Sequence, residues 1–82
     1  MQAKVEISLY PLNNDFIEII KSFISKLNSQ PNIVVETNQL RTQLFGDYDE
    51  IMSLLTTELK DVYLLTKAVA VIKVIGLSDE SA

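Results

Sequence analysis

The sequence predicts an α+β sandwich of order βαββαβ, a four-stranded antiparallel sheet carrying both helices on one face. Three observations lead there. Residues 4–10 (KVEISLY) alternate apolar and polar side chains, the period of a strand with one buried face, and meet Pro11, which cannot donate to a ladder and so suits a strand end. Two longer segments repeat apolar residues every three or four positions, the period of an amphipathic helix. The two strand-to-helix corners, NDFIEII (residues 14–20) and GDYDEIM (residues 46–52), share Asp, an aromatic, Glu and Ile in register, as a duplicated β-α-β unit would. Right-handed crossovers in such a duplication place both helices on one side, the ferredoxin-like arrangement.

The elements follow in order. After the first strand, Asp15 and Glu18 have the spacing of a helix start, and Phe16, Ile20, Phe23, Ile24 and Leu27 form one stripe that runs to about Asn28. NSQP (residues 28–31) stops this helix, and the β-branched IVVET (residues 33–37) reads as a second strand. The polar NQLR (residues 38–41) is short enough for a hairpin into a third strand over residues 42–45, closed by Gly46. Asp47 and Glu50 repeat the cap spacing, and Tyr48, Ile51, Met52, Leu55, Leu59 and Val62 make a second stripe. KAVAVIKVI (residues 67–75) is the last strand. One domain over residues 1–76 and a disordered acidic tail over residues 77–82 are expected.

Composition narrows the function. The 82 residues include no cysteine and no histidine, so thiolate metal sites, thiol catalysis and the commonest general base are absent. The formal charge is -4, with the seven lysines and arginines scattered, which offers no basic stripe for a nucleic acid. No apolar run reaches the roughly 18 to 20 residues of a membrane span, and the start resembles no signal peptide; a cytoplasmic protein is expected. DYDE (residues 47–50) continues into a helix and lacks the loop of a calcium site, so helix capping explains it. No metal, cofactor or catalytic residue is expected: no nucleophile lies beside a recognisable base.

The predicted sheet leaves one face bare. Val5, Ile7 and Leu9 turn to the helices, and Glu6, Ser8 and Tyr10 to the other side. If Ala68, Ala70, Ile72 and Val74 also turn to the helices, then Lys67, Val69, Val71 and Lys73 join the bare face, which becomes too apolar for solvent alone. Glu6 and Lys73 would then be cross-strand neighbours, a pair that could hold register or meet a ligand. The third strand has two possible parities. With Leu40 and Leu44 in the core, Thr42 goes with them and Arg41, Gln43 and Phe45 face outward; the opposite register exposes Thr42.

VEISLYPL, ETNQLRTQLFGDYDEI and KAVAVIKV, in this order over about residues 3–75, resemble the YkoF-like thiamine-binding family. The resemblance implies a ferredoxin-like domain without catalysis that binds thiamine or its hydroxymethylpyrimidine portion and assembles as a dimer or tetramer. It carries Ser8 and Thr42 over as ligand-facing residues and places Asn38 where a small hydroxyl residue is common. The chain departs from the family pattern at Asn13, Arg41, Phe45, Ala70 and Val71, and agrees at Lys73. Two functions are thus expected. The first is a small-molecule binding protein with Glu6, Ser8, Tyr10, Asn38, Thr42 and Phe45 around a thiamine-like ligand, near a contact between copies. The second is an oligomerisation module comparable to ACT domains, with no such ligand.

Overall fold

The computed structural model describes residues 1–38 and 41–78. The elements are β1 (Gln2–Pro11), α1 (Phe16–Asn28), β2 (Val34–Asn38), β3 (Arg41–Asp47), α2 (Tyr48–Leu65) and β4 (Ala68–Leu77), which is the βαββαβ order read from the sequence. The sheet is antiparallel in the order β2-β3-β1-β4, with β1 and β3 central, the ferredoxin-like topology. The turn expected at residues 38–41 includes Gln39 and Leu40, and the expected tail includes residues 79–82; these lie outside the described residues. β4 runs two residues beyond the expected Ile75.

Alternation in β1 sets the whole layering. Ala3, Val5, Ile7 and Leu9 are buried, and Leu44 on β3 is fully buried opposite Val5. Onto this layer α1 lays Phe23 and Leu27, and α2 lays Ile51, Leu54, Leu55, Leu59 and Val62. Leu54, absent from the expected stripe, widens it to the broader face that a core-packed helix presents. Burying one such aliphatic side chain contributes about 1.5–3 kcal/mol, so these residues carry most of the stability of a domain this small.

The two corners differ in a way their sequences do not. At α2, Asp47 is extended and its carboxylate accepts from the Glu50 backbone N–H at 3.1 Å, the cap expected. At α1, Asp15 makes no side-chain cap bond; instead Asn13 Oδ1 accepts from the Asp15 N–H at 2.8 Å, a local turn that competes with the cap. Phe16, expected in the core, is 47% exposed at this corner, and Tyr48 is half-buried, so of the four helix aromatics, Tyr63 included, only Phe23 lies in the core. Gly46 answers a packing need: a Cβ there would lie 3.2 Å from the Asn32 carbonyl oxygen and press on Ile33.

Candidate functional site

The register settles which side chains share the face away from the helices. Opposite Lys4, Glu6, Ser8 and Tyr10 of β1 stand Ile75, Lys73, Val71 and Val69 of β4. On the other flank, Lys4 and Glu6 face Phe45 and Gln43 of β3, and these in turn face Val34 and Glu36 of β2. Arg41 pairs with Asn38 and has the parity of Gln43, so both lie on this face. The core position of Leu44 decided this parity. Thr42, two residues away, therefore points under the helices and is only 5% exposed. The ligand-facing position expected for it is corrected: a threonine between an arginine and a glutamine follows its apolar neighbour's side of the pleat, not its own polarity.

Glu6, Ser8, Tyr10, Arg41, Val71 and Lys73 enclose an open depression of about 170 Å3. Its floor is the middle of the sheet, where two central strands hold Glu6, Ser8 and Arg41 at fixed spacing. Glu6 Oε2 lies 3.7 Å from Lys73 Nζ, and Gln43 Nε2 approaches Glu6 Oε1 at 3.5 Å. The lysine is largely exposed, so this pair contributes little to stability. Its effect is to orient the carboxylate, which is mostly buried. Among the described residues no acidic side chain pairs with Arg41, so the depression holds one carboxylate and two cations. Ser8 and Tyr10 add hydroxyls that both donate and accept, and Val71 and the Tyr10 ring add apolar surface.

Of the residues expected around a ligand, the structure thus gathers Glu6, Ser8 and Tyr10. Asn38 is exposed at the end of β2, beyond the depression. Phe45 is on the right face but opposite Lys4, whose Nζ lies 5.3 Å from the ring centroid. Lys4 lies two residues beyond Glu6, about 7 Å along the strand, and Phe45 does not line the depression, so its ring serves a cation contact at the margin. Arg41, Val71 and Lys73 are the additions, and once Leu44 is assigned to the core the alternation of β3 alone exposes Arg41.

A larger groove of about 480 Å3 lies on the helix side, between residues 30–33 and α2, and its rim includes Asp49, Glu50 and Glu58. Glu58 Oε1 is buried without a hydrogen-bond partner, with Lys26 Nζ 3.9 Å away. Asp49 and Glu50 are the acidic first turn of α2, where they complement the helix dipole. Among the described residues no group of three acids converges as a metal site would require. The groove is larger, but the depression combines donors, acceptors and an oriented carboxylate on the rigid sheet.

The profile of the YKOF-related family matches residues 2–75. The chain belongs to that family. Solved structures similar to this YkoF-related chain agree in fold. Protein SP2199 of Streptococcus pneumoniae is 25% identical with a TM-score of 0.86, over 99% of this chain and 92% of that one. A Thermotoga maritima protein provisionally described as a thiamine biosynthesis/salvage protein is 20% identical with a TM-score of 0.82, over 99% of this chain and 94% of that one. Hypothetical protein MJ1052 of Methanocaldococcus jannascii is 26% identical with a TM-score of 0.82, over 95% of this chain and 82% of that one. No curated protein matches the chain. Among the described residues, no helix is long and apolar enough to cross a membrane.

Proposed function

We propose that this protein is a non-enzymatic small-molecule binding protein whose ligand is thiamine-like, the hydroxymethylpyrimidine half seated in the depression on the uncovered sheet face. The observation that carries this reading is the convergence of Glu6, Ser8 and Tyr10 with Arg41, Val71 and Lys73 around one recess on that face. Membership of the YkoF-related family and the likeness to the Thermotoga maritima protein support it. An aminopyrimidine offers an exocyclic donor and ring-nitrogen acceptors, which Glu6 and the Ser8 hydroxyl complement, while Tyr10 and Val71 pack on the flat ring.

Size and charge refine the ligand. The volume of about 170 Å3 falls below the roughly 300–1,000 Å3 of sites that enclose whole drug-sized ligands, so the recess suits a single ring. With Lys73 opposing Glu6, Arg41 is a surplus cation that disfavours a thiazolium nearby. The free pyrimidine should therefore bind more tightly than thiamine, the preference growing at low salt. Calorimetric titration of the folded protein with hydroxymethylpyrimidine and thiamine tests the proposal. Heat from either, abolished by Glu6→Gln and Ser8→Ala together, supports it; no heat from either at millimolar ligand overturns it.

The second reading, an ACT-like assembly module, is favoured by one observation. Val69, Val71, Ile75 and Leu77 stand about half exposed on the same face. An assembly whose stability no metabolite changes would support it over the first.

A further inference from the structure

We propose, on the reading that the recess seats a pyrimidine ring, that Arg41 receives an anionic arm of the ligand, so that the site selects a pyrimidine phosphorylated on its hydroxymethyl group over both the free alcohol and cationic thiamine. The register puts the arginine where such an arm would lie. β1 and β3 pair Glu6 with Gln43 and Ile7 with Thr42, and the next step of that ladder sets Ser8 beside Arg41. Val71 stands on the far side of Ser8. Ser8 is thus the middle of the recess, flanked by a guanidinium on β3 and an apolar side chain on β4. Glu6, one row along the same face, is a diagonal neighbour of Arg41, about 7–8 Å away at Cα.

The two cations of the recess are not equivalent. Lys73 Nζ lies 3.7 Å from Glu6 Oε2, which answers its charge. Arg41 has no such partner among the described residues: Glu36, the one acid of β2, stands opposite Gln43, diagonal to Arg41, and forms no ion pair with it. The lining therefore carries net positive charge in a chain whose formal net charge is -4. Acids outnumber lysines on the two helices and their caps, across the sheet from the recess. The residue that supplies the surplus is an arginine, whose planar fork meets a phosphate through two parallel hydrogen bonds, which an ammonium group does not. It is exposed, so the fork is free to turn onto a guest.

The shape of the ring ligand agrees. In an aminopyrimidine whose amino and hydroxymethyl groups stand on adjacent carbons, an amino group donating to the Glu6 carboxylate leaves the neighbouring arm free to turn toward β3. With the volume of about 170 Å3 filled by the ring, a phosphate on that arm extends over Arg41 instead of into the recess. The free alcohol leaves the arginine fork to water, and a thiazolium on the same arm brings positive charge against it. One charge-assisted contact of this kind corresponds to about tenfold or more in affinity.

Calorimetric titration of the unmodified protein, Arg41→Gln and Arg41→Lys with three probes tests this: hydroxymethylpyrimidine, its phosphate monoester and inorganic phosphate. The ester is expected to bind the unmodified protein about tenfold more tightly than the alcohol. Arg41→Gln is expected to bring that ratio close to one, and Arg41→Lys to retain part of it, because the ammonium group keeps the charge without the fork. The ratio is also expected to fall between about 0.01 and 1 M salt, over which the Debye length drops from about 30 to about 3 Å. Circular dichroism of both variants is expected to match the unmodified protein, since the substituted side chain is exposed. Equal affinity for alcohol and ester, or a ratio that survives Arg41→Gln, would overturn the role of Arg41 and leave ring binding standing. Inorganic phosphate binding as tightly as the ester would mark an adventitious ion only and overturn it as well. No heat from either the alcohol or the ester would overturn ring binding and this selectivity together.

Discussion

Replacing Thr42 by valine separates a residue's place in the fold from its expected place in the site. Thr42 is 5% exposed on the helix-covered face, opposite Ile7 and Thr37. Its hydroxyl takes part in none of the side-chain hydrogen bonds among the described residues and is not among their fully buried polar atoms, so it keeps some access to water. An unpaired buried hydroxyl costs on the order of 1–3 kcal/mol, and valine has nearly the same shape and the same preference for strands. Allowing for partial access to water, Thr42→Val should stabilise the protein by about 1 kcal/mol, a rise in Tm of about 4–8 °C for a domain of this size. Thr42→Ser, which keeps the hydroxyl and removes a buried methyl group, should cost about 1 kcal/mol. Thermal unfolding followed by circular dichroism measures both, and titration with hydroxymethylpyrimidine measures what either does to binding. Neither variant should change affinity by more than about twofold, since the side chain lies across the sheet from the recess. A fall in Tm for Thr42→Val, or loss of ligand binding without a change in Tm, would refute the facing assigned to β3.

The remaining perturbations test other parts of the account. In urea unfolding, Asp47→Ala should destabilise by about 0.5–2 kcal/mol through loss of the α2 cap, whereas Asp15→Ala should change stability by less than about 0.5 kcal/mol, because Asp15 makes no cap bond. Equal effects would restore the symmetry that their sequences suggest. Leu55→Ala, at a side chain 1% exposed between α2 and the sheet, should cost about 2–5 kcal/mol in the same assay. Glu6→Gln should alter stability by less than about 1 kcal/mol, since its partner lysine is exposed. It should weaken ligand binding roughly tenfold or more by calorimetry, as expected when a charged acceptor becomes neutral.

The fold was legible because its signals are local and agree with one another. The alternation in β1, the stripe of α2 and the Asp47 cap each impose a period or a geometry that few other folds would satisfy together. The parts that were not legible depend on competition between near-equals. Two aspartates in matched corners differ because Asn13, two residues before Asp15, offers the backbone another acceptor. Phe16 carries the right period yet stands at the first position of α1, where it is 47% exposed. The facing of β1 was legible because its alternation is unbroken. That of β3 was not, because Arg41, Thr42 and Gln43 are all polar and only Leu44 fixes which of them faces outward. Phe45 shares the uncovered face with the recess but not its position along the strands, and Asn38, paired with Arg41, lies one strand farther out, distances that alternation alone does not encode.

A crystal structure of the protein soaked with hydroxymethylpyrimidine reports where on the sheet a guest sits. Density is expected on the face away from the helices, touching Glu6 and Ser8 and stacked near Tyr10. Density in the groove between residues 30–33 and α2, or a helix covering that sheet face, would contradict that placement.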